Sequence, residues 1–194
     1  MRVNELQIPR FESERLLCIP VLEAHAAWTE PILRDAALYT WMPRDPPTLE
    51  ALKRRYSYWE RRASPDGSEL WWNWTLIRKG ADPETPGACV GTLQAGIDVA
   101  HLGATLAYIV GRDAQGQGYG TEAVNALIAT LRGLGVREVK AWVDTRNRPS
   151  IALLERVGLR RIEKIEGADF FKGASSDEWV YALELASDAG EGHS

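Results

Sequence analysis

The sequence is poor in cysteine, methionine and histidine, with two, two and three residues respectively among 194. Cys18 and Cys89 each stand in an apolar, strand-like segment, which excludes a disulfide-rich secreted framework and predicts two buried free thiols. His25 and His193 show no metal-ligand spacing, so the sequence predicts no metal site.

Long apolar runs and a strong charge of one sign are also missing. No segment approaches the roughly 20 apolar residues that a membrane-spanning helix needs, and the first fifteen residues do not resemble a signal peptide. We therefore expect a cytoplasmic protein that does not act at membranes. The formal net charge of −4 is the opposite of the basic face that nucleic-acid phosphates require, so nucleic acid is not an expected partner.

The chain does have the length and the apolar content for one packed domain. At 194 residues and 45% hydrophobic composition, we expect a single domain over residues 1–186 and a frayed tail over residues 187–194. Periodicity and turn residues predict a helix-capped N-terminal part, an antiparallel meander of three strands, and then helix, strand, helix and two closing strands. This order favours an α+β domain with a mixed sheet.

The most informative stretch is AQGQGYGTEA, residues 114–123, where Gly116, Gly118 and Gly120 occupy every second position. An apolar-faced helical pattern follows from Thr121. Glycines let backbone N–H groups approach a ligand closely, and the first turn of a helix leaves four N–H groups without partners. The stretch therefore predicts an anion site, most often one for phosphate.

Two well-known phosphate motifs fit this loop poorly. The pattern GxxxxGK[ST] fails because no lysine follows the glycines. The dinucleotide pattern GxGxxG is met at Gly116 and Gly118 but has threonine at its last position. Asp144, after the next predicted strand, keeps that alternative open as a ribose-binding acid. The 49 residues that follow residue 145 are, however, too few for the second half of a doubly wound sheet.

A third pattern, Q/R-x-x-G-x-G/A, is satisfied by Gln115, Gly118 and Gly120. With it, YIVGRDAQGQGYGTEAV resembles the acetyl-CoA loop of the GCN5-related N-acetyltransferase (GNAT) superfamily, and VDTRNRPSIALLERVGLRR resembles the strand and helix that follow it there. The opening ESERLLCIPV resembles the branch that acetylates ribosomal-protein N-termini, the RimJ/RimL-like enzymes. The resemblance is strongest from about residue 100 to residue 160.

The resemblance implies a mixed, mostly antiparallel twisted sheet flanked by helices, with two central strands that splay apart. It also implies acetyl-CoA as co-substrate, with its pyrophosphate on the glycine loop and its pantetheine paired to the preceding strand, as an added strand would be. The residues implied in cofactor binding are Ile109, Val110, Gln115, Gly116, Gln117, Gly118, Tyr119, Gly120, Thr121 and Asn147.

Direct acetyl transfer needs a group that removes a proton from the amine. The branch that this sequence resembles often has glutamate where Thr105 stands, so a conventional base is missing there. Asp98, His101 and Glu178 remain candidates that act through water. Solvated turn or strand-edge roles for these three, and proton relay by water alone, stay open as alternatives.

Transfer also needs an acid for the departing thiolate. The superfamily often has a tyrosine at the position of Leu154, which carries no proton to donate. Ser150, one turn earlier, is what some members offer, and it is the predicted catalytic residue; the alternative is that it caps its own helix. Asn147 is similarly divided between capping and cofactor binding.

Eight tryptophans are a large number for this length. Trp72 in the stretch LWWNW is expected in the core. Trp41 and Trp59 fall in segments that, in the family, form the wall of the acceptor side, so an aromatic acceptor pocket is open as an alternative.

We therefore predict an acetyl-CoA-dependent N-acetyltransferase that transfers an acetyl group directly to a primary amine. The acceptor is a protein N-terminus or a small amine such as an antibiotic, an amino acid or a polyamine. An acyl-CoA-binding protein without transfer activity is the first alternative, and a dinucleotide-binding oxidoreductase is the second. The sequence leaves open whether the protein is a monomer or a homodimer.

Overall fold

Eight strands form one sheet in residues 7–85 and 87–185, the part of the chain that the computed structural model describes. The strands are β1 (Phe11–Glu12), β2 (Leu16–Pro20), β3 (Glu69–Arg78), β4 (Cys89–Asp98), β5 (Gly103–Val110), β6 (Glu138–Asp144), β7 (Arg160–Phe171) and β8 (Ala174–Glu184). The helices are α1 (Ala26–Leu33), α2 (Leu49–Trp59), α3 (Tyr119–Gly133) and α4 (Arg148–Arg156). The expected tail at 187–194 lies outside the described residues, so the domain boundary stays a prediction.

The sheet has the order β1-β2-β3-β4-β5-β6-β8-β7. Neighbouring strands are antiparallel throughout except for β5 and β6, which are parallel. The helix between these two, α3, is the crossover that a parallel connection requires. This is the predicted α+β fold with a mixed, mostly antiparallel sheet, and the antiparallel meander β3–β4–β5 is as predicted.

The two parallel strands separate soon after they meet. They pair at only three positions, from Gly103 opposite Glu138 to Thr105 opposite Lys140. Beyond these pairs β5 stays with β4 as far as Val110, and β6 stays with β8 as far as Asp144. The predicted splay of the central strands is therefore present, and it opens the sheet at its centre.

Helices cover both faces of the sheet. Trp72 and Trp74 of β3, each at most 1% exposed, point to one face and pack edge to face with ring centroids 6.1 Å apart. They belong to the main core together with the buried stripe of α3, which includes Leu127 and Leu131. The core role expected for Trp72 is thus confirmed. On the opposite face α1 and α2 form a smaller cluster around Tyr56.

Gly91 of β4 lies in tight contact with β5. A Cβ atom built there would sit 2.1 Å from the carbonyl oxygen of Ile109, whereas one on Gly96, further along β4, would meet nothing within 4 Å. The close approach of the two backbones therefore requires glycine at position 91 and not at position 96.

We expect Gly91→Ala to lower the free energy of unfolding by about 1–3 kcal/mol, because the new methyl group must push β5 away from β4. Gly96→Ala, on the same strand, is the matched control and should stay within about 0.5 kcal/mol of the parent. Urea denaturation of the three proteins measures the difference. Equal losses in both variants would contradict the assignment of a special contact to Gly91.

Candidate active site

A cleft of about 790 Å³ opens in the gap between β5 and β6. The glycine loop and α4 line it on the face of the sheet that carries α3, and α2 with the segment 37–44 lines it on the other face. Tyr108 of β5, Ser150 of α4 and Glu178 of β8 also line it. The cleft therefore connects the predicted phosphate loop with the predicted acceptor side.

The glycine loop has a backbone conformation that side chains other than glycine disfavour. Gly116 and Gly118 have φ angles of +73° and +84°, in the left-handed region that favours glycine. Gly118 is the N-cap residue of α3 and its position provides no side-chain cap to the first turn. The first-turn N–H groups of α3 are therefore free of a side-chain cap at the positive end of the helix dipole, which suits a phosphate group.

The two glutamine side chains of the loop hold the loop itself. Gln115 donates from Nε2 to the carbonyl oxygen of Val110 at 3.0 Å, and Gln117 donates from Nε2 to the carbonyl oxygen of Asp113 at 2.6 Å. Any contact of Gln117 with a cofactor is thus left to its backbone, whereas the backbone N–H of Gln115 already donates to the carbonyl oxygens of Gly111 and Arg112.

Arg15, which the sequence did not identify as a site residue, holds the outer side of the loop in place. Arg15 donates to the carbonyl oxygen of Gln117 at 3.1 Å and forms an ion pair of 2.6 Å with Glu122 in the first turn of α3. Its guanidinium also lies 4.4 Å from the ring centroid of Tyr119. The available signal was the ESERLL stretch, whose resemblance to a family strand points to position 15 without indicating its partner.

Gly120, also predicted to bind the cofactor, has a separate reason to be glycine. A Cβ atom there would lie 2.7 Å from Cδ1 of Leu153 and 3.3 Å from Cγ2 of Val110. The lack of a side chain at Gly120 thus allows α3 to pack against α4 and β5. Thr121, one residue later, lines the cleft.

Ile109 and Val110, the two residues expected to pair with pantetheine, direct their backbone groups towards opposite sides of β5. Gly111 donates its N–H to Val90 of β4, and the carbonyl oxygen of Ile109 lies against Gly91 of β4. Since successive residues of a strand point their backbone groups in opposite directions, Ile109 is turned towards β4 and Val110 towards the gap. Of the two residues, only Val110 has a backbone N–H directed into the cleft.

Ser150 does not cap its own helix. The cap of α4 is Asn147, whose Oδ1 accepts a hydrogen bond from the backbone N–H of Ser150 at 3.3 Å. The Ser150 hydroxyl instead shares a hydrogen bond of 2.8 Å with the phenol of Tyr108. Burial raises the pKa of Tyr108 to about 12, although the bond with Ser150 lowers it, so the phenol keeps its proton at neutral pH.

The three candidate bases separate clearly in the structure. Asp98 and His101 share a side-chain hydrogen bond of 2.8 Å in the exposed β4–β5 turn, outside the cleft lining. Glu178 is half-buried and lines the cleft. Burial, and then the negative charges of Asp169 and Asp144, raise the pKa of Glu178 above its usual value. A raised pKa suits a group that accepts a proton near neutral pH.

Asp144 has a structural role, because its carboxylate is bound by Arg146 and Ser176. Although burial opposes its ionisation, bonds from Arg146 and Ser176, each 2.6 Å long at the closest, lower its pKa to about 2. The dinucleotide alternative, which needed Asp144 for a ribose, is wrong: β5 and β6 are the only parallel neighbours in the described sheet, and a doubly wound fold requires several.

Aromatic side chains line the cleft on the α2 side. Tyr39, Trp41 and Trp59 contribute to the wall, so the alternative that Trp41 and Trp59 face an acceptor pocket agrees with their positions. The hairpin β7–β8 supports this wall, because Lys172 at its tip donates to the carbonyl oxygen of Tyr39. Arg146 lies over the ring of Trp41 at 4.9 Å.

Other kinds of site find no support within the described residues. Residues 7–85 and 87–185 contain no cluster of three or more potential metal ligands, and none of their helices is long and apolar enough to cross a membrane. Cys18 and Cys89 are buried free thiols, as predicted. Burial raises the pKa of each to about 12, so neither is a reactive thiolate.

A mixed sheet that is split at its centre, with a glycine loop leading into a helix at the split, defines the acyl-CoA-dependent N-acetyltransferase class. Residues 15–160 match the family model described as the acetyltransferase (GNAT) domain, and this range is most of the chain. The chain therefore belongs to the GNAT acetyltransferase family, and it is an N-acetyltransferase that uses acetyl-CoA as co-substrate.

Solved structures with the same fold include enzymes with different acceptors. RimL, a ribosomal L7/L12 α-N-protein acetyltransferase in complex with coenzyme A, has a TM-score of 0.78 and 18% identity over 93% of this chain and 99% of its own. A ribosomal-protein-S5-alanine acetyltransferase from Vibrio fischeri has a TM-score of 0.76 and 18% identity over 91% of this chain and 97% of its own. Spermidine N-acetyltransferase from Vibrio cholerae, in complex with CoA and spermine, has a TM-score of 0.74 and 14% identity over 89% of this chain and 96% of its own. No curated protein matches the sequence.

We expect Gly118→Val to weaken acetyl-CoA binding by more than about tenfold, because the branched side chain blocks the loop and disfavours its positive φ. Gly80→Val is the matched control, since Gly80 has a φ of +78° in the β3–β4 turn, away from the cleft. Both variants carry the same backbone strain, but only Gly118→Val should lose affinity in titration calorimetry. An unchanged affinity in folded Gly118→Val would refute binding by this loop.

Proposed function

We propose that the chain transfers the acetyl group of acetyl-CoA directly to a primary amine, either the α-amine of a peptide N-terminus or the amine of a small molecule. The observation that carries this proposal is the continuity of the cleft, which joins the glycine loop on one face of the sheet to the aromatic wall on the other. A donor and an acceptor that enter from opposite faces meet in the gap between β5 and β6. The cytoplasmic location stays a prediction, and the choice between a monomer and a homodimer stays open.

In this proposal the pyrophosphate of acetyl-CoA binds backbone N–H groups of residues 116–121, because the N–H of Gln115 already donates to the carbonyl oxygens of Gly111 and Arg112. The pantetheine then runs along the free edge of β5, where it pairs with Val110 as an added strand would. Asn147 lines the cleft beside this path and keeps its amide N–H groups available after capping α4. This path brings the thioester to the level of Tyr108 and Ser150.

Direct transfer is favoured over an acetyl-enzyme intermediate. Neither Cys18 nor Cys89 lines the cleft, and both thiols are held protonated by burial. The neutral amine attacks the thioester carbonyl carbon, its N–C bond forms, and the C–S bond then breaks. Glu178 takes the proton that the amine loses, and the Tyr108–Ser150 pair donates a hydrogen bond or a proton to the departing thiolate.

Protein α-amines are the first candidate acceptor, because RimL and the S5-alanine acetyltransferase act on ribosomal proteins by their names. Spermidine N-acetyltransferase, with the same fold, makes polyamines the second candidate. The test is release of free thiol from acetyl-CoA with a panel of peptides, amino acids and polyamines, with mass spectrometry of the product. Binding of acetyl-CoA without thiol release from any amine would favour the acyl-CoA-binding alternative.

We expect Ser150→Ala to lower kcat by about ten- to a hundredfold, at the low end of a general-acid contribution, with little change in acetyl-CoA affinity. Tyr108→Phe should have a similar effect, because the two hydroxyl groups share one hydrogen bond. Asn147→Ala is the control for helix capping and should cost about 1 kcal/mol of stability. A destabilised but fully active Ser150→Ala enzyme would remove the hydroxyl from the reaction.

The proposed role of Glu178 as base predicts how kcat depends on pH. With the glutamate as base, log kcat rises through its pKa and levels off below the pKa of the α-amine, which is about 8. In Glu178→Gln the rise should move towards that amine pKa and kcat should fall at neutral pH. Glu184→Gln, near the end of the same strand and exposed, is the control. Superimposable profiles for all three proteins would mean that water alone relays the proton.

The same substitution should not reduce stability at neutral pH. The raised pKa means that the folded protein binds the Glu178 proton more tightly than the unfolded chain does. Its contribution to stability is therefore present below the pKa of the unfolded chain and is lost as pH rises through the folded pKa. Loss of activity together with an unchanged or raised melting temperature would separate a base from a structural residue.

A further inference from the structure

The charged groups of the cleft are distributed unevenly between its two faces. Arg156 lines both the cleft and a shallow depression beside Gly118 and Thr121, which places it at the cofactor end. Glu178 and Asp144 lie at the level of the gap, and Asp144 is already neutralised by Arg146. Two further guanidinium groups remain on the acceptor side.

These two are Arg44, on the proline-rich segment after Trp41, and Arg55, on α2. Both line the cleft. Arg44 is exposed at the rim with its guanidinium 5.9 Å from the ring of Tyr39, and Arg55 is half-buried with its guanidinium 5.9 Å from the ring of Trp59. Two cations thus stand beside the aromatic wall at which the acceptor enters.

Neither cation is neutralised by the protein. Within residues 7–85 and 87–185, no carboxylate lies within ion-pair distance of Arg44 or Arg55. Burial lowers the pKa of Arg44, Tyr39 opposes this effect, and the positive charge of Arg55 adds to the lowering. An anion that binds between two like charges on one cleft wall relieves their mutual repulsion and accepts charge-assisted hydrogen bonds from both.

We propose that Arg44 and Arg55 bind a carboxylate of the acceptor, so that this enzyme acetylates amines that carry a nearby negative charge. This inference rests on the proposed transfer to a primary amine. The chemistry is that of a peptide with acidic residues directly after its free N-terminus, or of a free acidic amino acid. A polyamine brings additional positive charges next to the two guanidinium groups and is disfavoured by repulsion.

The test compares four acceptors that differ in charge. They are a hexapeptide with glutamate at its second and third positions, the same peptide with glutamine there, free glutamate, and spermidine. We expect kcat/KM for the acidic peptide or free glutamate to exceed that for the glutamine peptide by at least about tenfold, the size of a charge-assisted contact. The preference should shrink as ionic strength rises, because salt screens the two charges.

Variants then assign the preference to the two residues. Arg55→Gln and, separately, Arg44→Gln should each lower kcat/KM for the favoured acidic acceptor by about ten- to a hundredfold. Each variant should keep kcat/KM for the glutamine peptide within about twofold of the parent value, and its affinity for acetyl-CoA should be unchanged. Arg54→Gln, exposed on the same helix and outside the cleft lining, is the matched control and should keep the preference. Arg44 lies at the rim, so its variant remains informative if Arg55→Gln is unstable.

The outcomes distinguish this inference from the function on which it rests. Acidic and glutamine peptides acetylated equally well, or spermidine acetylated best, would overturn the inference and leave the transferase intact. A preference that survives both arginine substitutions would also overturn it. A larger effect for free glutamate than for the acidic peptide would support it and identify a small-molecule acceptor. If acetyl-CoA binds but no amine is acetylated, the proposed function and the inference fail together.

Discussion

The separation of β5 from β6 after three residue pairs is the constraint on which the rest of the site depends. Each strand remains held on its other side, β5 by β4 and β6 by β8, so the gap does not close. At the free edge of β5, backbone groups have no partner strand. Unpaired backbone groups in a partly buried position cost free energy unless another hydrogen-bonding group pairs with them. The gap therefore creates both the space for a cofactor and a reason for an extended ligand to lie along β5.

Contacts from outside its own sequence hold the glycine loop in place. Arg15, the residue before β2, contacts both the loop carbonyl of Gln117 and Glu122 in the first turn of α3. Gly120 allows α4 to press on the same turn through Leu153. A phosphate site built from backbone N–H groups needs such support, because its donors are as well positioned as the backbone that carries them.

The parts of the site that could be predicted from the sequence are those with local causes. Alternate glycines before a helical pattern predict the anion loop, and Asn147 three residues before Ser150 predicts a cap. Tyr108 could not be assigned, because its partner Ser150 lies 42 residues away in the chain. The roles of Ser150 and Asn147 were left divided for the same reason: either side chain can cap a helix, and only the position of β5 gives the Ser150 hydroxyl a partner in Tyr108.

By itself the sequence determined most element types, the anion loop and the family, because these depend on residues within a few positions of one another. Only the tertiary structure decided that Glu178 rather than Asp98 lines the cleft and that the backbone groups of Val110 rather than those of Ile109 point into the gap. It also decided that Arg55 stands on the acceptor side. The physical reason is that strand order, register and helix packing set which distant segments meet, and no local pattern encodes those choices.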